Sequence, residues 1–133
     1  MKDIFKLLLL LVTFGGYSQA NLPKQAELPV NENTISGKWI FHDVINDKTP
    51  EENAETKELL EGTSVEFRAD KTYIFEFIVQ LEGTWSLDTT TNIIKTNTRR
   101  RKDHTWNIHH VYKDYIVMSR NDATQQIIFK AER

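Results

Sequence analysis

From Gly37 onward, apolar and polar residues alternate in short runs broken by turn-forming residues. A period of two places residues i and i+2 on the same side of a strand. The runs predict eight strands: Gly37–Ile45, Thr63–Ala69, Thr72–Gln80, Gly83–Leu87, Asn92–Thr98, His104–Tyr112, Tyr115–Arg120 and Gln125–Lys130. Asp70-Lys71, the threonines before Asn92, Lys113-Asp114 and Asn121-Asp122-Ala123 supply turns between them. One helix interrupts the series. Thr49-Pro50-Glu51-Glu52 has a capping threonine, a proline at the first helical position and a glutamate three residues after the cap. This helix is expected to run to about Leu60 and stop at Gly62.

The large rings follow the alternation. Trp39 and Phe41 share one side of the first strand, Tyr73, Phe75 and Phe77 one side of the third, and Trp106 and Tyr112 one side of the sixth. A single aromatic interior is therefore expected. Short strands joined by hairpins predict an all-β fold, an eight-stranded antiparallel up-and-down barrel with one short helix between its first two strands. Closure removes the sheet edges that invite aggregation. The same hairpin order also builds an open sandwich.

The residues ahead of this pattern read differently. Residues 1–20 open with Lys2 and Lys6, continue with the apolar run Leu7–Phe14 and end in Ser18-Gln19-Ala20. A basic start, a short apolar run and small residues at the end predict a secretory signal cleaved after Ala20. The run is too short for a membrane anchor, which needs about 20 apolar residues. Residues 21–34 are polar, contain Pro23 and Pro29 and have no period, which predicts a flexible tether. Residues 35–133 form the domain. The chain has no cysteine, so disulfides and a lipid-modified cysteine are both excluded. A periplasmic or secreted location is expected. Without the first 20 residues the chain carries 15 basic and 18 acidic side chains, a poor match for nucleic acid.

Gly37-Lys38-Trp39 at the first strand, Gly83-Thr84-Trp85 at the fourth, Trp106-Asn107-Ile108, the Tyr115–Met118 strand and the Ile127–Lys130 strand form an ordered set. Together they resemble the lipocalins, and within them the small exported lipocalin-like domains of Bacteroidetes bacteria, over about residues 35–131. The resemblance implies a calycin-type barrel that binds a small hydrophobic or amphipathic ligand. It also implies an arginine stacked on the first-strand tryptophan, for which Lys130 and Arg133 are the available cations.

The candidate ligand-binding residues are Trp39, Phe75, Phe77, Trp85, Trp106, His110, Tyr112 and Phe129. They either line a cavity or fill the barrel outright, since each ring buries roughly 150–250 Å². A filled barrel is expected to act instead through its surface, as a protein-interaction or inhibitor module of the cell envelope. Adjacent His109 and His110 point to opposite faces of a regular strand and do not chelate one ion, so no metal site is expected. Arg99–Lys102 reads as a solvated loop. Glu66 and Glu76 lie off the aromatic phase, as solvated carboxylates. No nucleophile is placed on a sharp turn or beside a base, so no catalytic residue, enzyme activity or cofactor is expected.

Overall fold

A computed structural model describes residues 21–45, 48–98, 104–120 and 123–132. The expected signal at residues 1–20, the basic loop Arg99–Lys102 and Arg133 lie outside them. Eight strands close into one antiparallel barrel in the order β1-β2-β3-β4-β5-β6-β7-β8. They are β1 (Gly37–Val44), β2 (Ser64–Phe67), β3 (Thr72–Phe77), β4 (Val79–Asp88), β5 (Ile93–Thr98), β6 (Thr105–Val111), β7 (Tyr115–Arg120) and β8 (Ile127–Ala131). β8 pairs back onto β1, with Phe41 opposite Phe129, which completes the ring and excludes the open sandwich.

Two helices mark the two ends of the barrel. The short α1 (Glu32–Ile35) lies at the end where β1 begins, and α2 (Pro50–Leu60) joins β1 to β2 at the other. α2 carries the expected capping box: Thr49 Oγ1 accepts from the Glu52 amide at 3.2 Å, and Glu52 Oε1 accepts from the Thr49 amide at 3.3 Å. Gly62 follows the helix at φ 86°, the left-handed turn that a residue without Cβ makes freely. Among the described residues no helix is long and apolar enough to cross a membrane.

The expected β3–β4 boundary shifts. The turn is at Ile78, with Phe77 paired to Val79, so that Val79 and Gln80 belong to β4. Ile78 carries no turn signature. It adopts φ 66° all the same, a conformation in which a β-branched side chain is strained.

Two β-bulges change the phase of the alternation. In β1 the register slips between Phe41 and Asp43, and in β6 between Ile108 and His110. Beyond the second slip His110 opposes Val117 and Val111 opposes Ile116. Ile116 belongs to the barrel interior, whereas Val117 belongs to a second apolar cluster on the outside. The extra residue of the bulge thus turns Val111 inward and sends His110 and Tyr112 to the outer face. This corrects the expectation that Trp106 and Tyr112 share one face, and it takes the candidate His110 out of the interior.

The tether expectation is corrected as well, because residues 21–34 lie against the barrel. Leu22 joins the outer cluster of Ile45, Tyr112, Val117 and Ile128, while Leu28 and Val30 pack on the interior cluster. The Leu28 amide donates to Val111 O at 2.7 Å, Gln25 Nε2 donates to Asp114 Oδ2 at 2.9 Å, and Asn21 Nδ2 donates to Asp43 Oδ2 at 3.2 Å. α1 ends this strap with its own capping box, between Asn31 and Thr34. Its Ile35 is fully buried and plugs the α1 end. Both sides of β7 and β8 are therefore covered, which explains the unbroken apolar runs Ile116–Met118 and Ile127–Phe129.

Candidate functional site at the α2 end

Beyond the plug at Ile35, the barrel interior is a connected aromatic stack. Trp39, near the α1 end, donates its indole N–H to Ile35 O at 2.9 Å. Trp85 donates to Arg68 O at 2.8 Å, with Lys71 Nζ 4.4 Å from its ring centroid. Tyr73, Phe75 and Phe77 stack in succession at 6.5 and 6.3 Å along the inner face of β3. Trp106 stands edge-on between Phe75 at 5.6 Å and Phe129 at 5.9 Å, and donates its N–H to the Tyr73 hydroxyl at 3.0 Å. Burial pushes the Tyr73 phenol up to about 12, against the opposing pull of the Trp106 hydrogen bond and the Arg120 charge. Tyr73 therefore remains neutral and keeps its proton.

The rings expected to line a site divide into three groups. Trp39, Phe75, Trp85, Trp106 and Phe129 are buried in mutual contact and act as core. Phe77 is half-buried at the α2 end of the same stack. His110 and Tyr112 stack on each other outside the barrel, where His110 Nδ1 meets Glu27 Oε1 at 2.9 Å. Lys130 is exposed and paired opposite Ile40 and Tyr115, so it does not reach Trp39.

Among the described residues the surface clefts include three of note. One of about 320 Å³ lies beneath the strap, between α1, Trp39 and Tyr112. One of about 690 Å³ runs over β3, β4 and β5, among Thr72, Glu82, Thr84 and Asn97. The third, of about 500 Å³, lies between the end of α2 and the β3–β4 hairpin and is lined by Leu59, Phe77, Ile78 and Val79 together with the polar Glu61, Glu76 and Gln80. Phe75, Trp85, Trp106 and Phe129 line none of them.

The third cleft combines several unusual features. Ile78 is 89% exposed, Leu59 63% and Val79 48%, the large exposed apolar residues of the described chain. Behind this rim, outside the cleft itself, the stack passes from Phe77 to the packed Phe75 and Trp106, and a cation rests on those two rings. The Arg120 guanidinium lies 5.3 Å from the Phe75 centroid and 5.4 Å from that of Trp106. Its Nη2 donates to His104 Nδ1 at 3.0 Å. An arginine only donates, so His104 Nδ1 is the acceptor and bears no proton. Sequence reading passes over Arg120, although Ile116, Met118 and Arg120 fall on one phase of β7. Of the other histidines, His42 packs against the Tyr115 ring at 5.2 Å and His109 Nε2 lies 2.8 Å from Ser119 Oγ. Ser119 follows the outward phase of Val117 on β7 and His109 is exposed, so this hydroxyl–imidazole pair lies on the outer face of the barrel and lines none of these clefts. Glu66 is held by Arg68 at 3.2 Å on the outer surface.

The fold and this end of it define a small closed eight-stranded antiparallel β-barrel, packed at its centre, with an apolar rim and an inward arginine at the α2 end. Comparison with known proteins adds a structural likeness. A crystal structure of a DUF4847 family protein from Bacteroides vulgatus ATCC 8482 aligns with a TM-score of 0.49 at 15% identity, covering 76% of this chain and 96% of that one. No family model matches the chain, and no curated protein matches it.

Proposed function

We propose that this chain is an exported lipocalin-like binding protein that takes a small amphipathic molecule at the α2 end of its barrel. The observation that carries this reading is the cleft of about 500 Å³ whose rim exposes Ile78, Val79 and Leu59 above the half-buried ring of Phe77. Its size falls in the range of small-molecule sites, about 300–1,000 Å³. Exposed apolar side chains gathered at one place commonly mark a binding surface. The rim is also where the backbone is strained, at Ile78, and strain persists where the surrounding structure holds it in place. The apolar part of the ligand would lie on Phe77 and the rim, and its polar part would face Thr63, Gln80 or solvent. No bond is made or broken in this reading.

The test is a titration with dodecanol and dodecanoate, followed by tryptophan fluorescence. A saturable one-to-one change is expected, with affinity lowered roughly tenfold in Phe77→Ala by loss of the ring contact. Absence of a saturable change with either amphiphile overturns the reading.

The contact of Phe75, Trp106 and Phe129 in the interior favours a second reading, a filled barrel that meets a protein partner through the same exposed rim. That reading predicts no response to either amphiphile and loss of partner binding in Ile78→Asp.

A further inference from the structure

We infer that the cleft at the α2 end selects a cationic headgroup, an ammonium at the end of an apolar chain. The inference rests on the reading above and specifies its ligand. The polar side chains that line the cleft offer acceptors. Glu61 ends α2, and Glu76 stands on β3 between Ser64 of β2 and Gln80 of β4 in the strand registers. Both glutamates are exposed, and among the described residues neither has an ion-pair partner. Gln80 Nε2 donates to Glu82 Oε2 at 3.4 Å, which leaves its Oε1 as an acceptor. Thr63 also lines the cleft and is only 4% exposed. Its amide donates to Leu60 O at 2.9 Å, and its carbonyl accepts from the Phe41 amide at 2.8 Å. Its hydroxyl makes no hydrogen bond among the described residues and is left to the cleft.

None of the residues that line the cleft is basic. The lysine of α2, Lys57, lies 3.1 Å from Asp43, where its charge is already used. The cleft also sits at the C-terminal end of α2, where the aligned peptide dipoles place partial negative charge. An anionic headgroup would meet two carboxylates and a helix end of the same sign. A second copy docked through the same rim would set Glu61 and Glu76 against their own counterparts, and like charge disfavours that contact. A bare metal ion fits no better. Among the described residues no group of three acidic or histidine side chains could hold one, and exposed Ile78, Val79 and Leu59 offer it nothing. An alkylammonium uses both halves of the cleft. Its chain would lie on Phe77 and the rim, and its N–H donors would face Glu61, Glu76 and the Thr63 hydroxyl.

The experiment compares three probes of one chain length on the whole protein, each below its micelle-forming concentration: dodecylammonium, dodecanol and dodecanoate. Expected is a preference of roughly tenfold for dodecylammonium over dodecanol, the worth of a charge-assisted hydrogen bond, with dodecanoate weakest. In Glu61→Gln together with Glu76→Gln the preference should vanish while dodecanol binding persists. Glu51→Gln together with Glu55→Gln removes the same charge from the N-terminal half of α2, away from the cleft, and should leave the preference in place. A readout that needs no variant is the NMR resonances of the Glu61 and Glu76 carboxyl carbons, which should shift with dodecylammonium and stay in place with dodecanol. Equal binding of all three probes leaves the amphiphile site standing and overturns the choice of headgroup. A preference for dodecanoate, as the basic run Arg99–Lys102 would confer on reaching the ligand, overturns it too. So does an ammonium preference that survives in the folded Glu61 and Glu76 double variant, or that falls equally in the Glu51 and Glu55 one. Binding of none of the three overturns the site itself.

Discussion

Trp106 on β6 donates its indole N–H to the hydroxyl of Tyr73 on β3, 3.0 Å away across the barrel interior. The bond joins strands on opposite sides of the ring, so each fixes the rotamer of the other. Tyr73→Phe keeps the ring between Phe67 and Phe75 but leaves a buried indole N–H without an acceptor. The expected loss is about 1–3 kcal/mol of stability, measured by urea unfolding. A variant as stable as the parent would show that Trp106 finds another acceptor.

At the β3–β4 turn, Ile78 combines strain with exposure, and the two should separate on mutation. Ile78→Gly removes the left-handed penalty of a β-branched residue, about 1 kcal/mol, less what glycine loses in chain entropy. Thermal unfolding should rise or hold, while amphiphile affinity should fall. A drop in both would mean that the side chain supports the fold.

Gly83 on β4 marks a close approach. A Cβ built there would lie 1.9 Å from the carbonyl oxygen of Asn97 on β5, and a backbone atom cannot rotate away. Gly83→Ala is expected to cost about 3 kcal/mol or more, or to part β4 from β5. Hydrogen exchange of the amides of residues 93–98 would detect the parting. Ordinary protection and an unchanged melting point would refute the close approach.

Asp43 binds three elements together. Burial pushes its carboxyl up, but Lys57 of α2, the Val44 amide and Asn21 of the strap outweigh burial and hold it below the ordinary carboxylate value. A group whose pKa is lower folded than unfolded adds stability above its unfolded value, near 3.9, and loses it as pH falls through the folded one. The parent should therefore lose thermal stability on acidification below about pH 4 more steeply than Asp43→Asn. In Asp43→Asn at neutral pH, the strap amides should also exchange faster. Coincident pH profiles of the two proteins would count against this role.

How far the sequence carries depends on how far along the chain each cause extends. Alternation and turn residues act locally, and they determined the eight strands, most of their limits, the capping box of α2 and the inward side of Trp39, Tyr73, Phe75 and Trp106. Gly62 ended α2 as a residue without Cβ should. The β6 bulge is different, because an extra residue is defined only against the strand across from it. Nothing between Ile108 and His110 announces the slip that moved His110 and Tyr112 outside. The strap, too, looks like a polar linker until Val117, Ile128 and Tyr112 offer Leu22 an outer apolar surface. Arg120 falls on the phase of the inward Met118, a signal that the sequence carries but that sequence reading passes over. Its place above two rings with an unshared Nε–H was decided by β3, β6 and β7 meeting around a closed barrel. Period and propensity thus decided which segments are strands, and contacts between residues distant in the chain decided what their side chains meet.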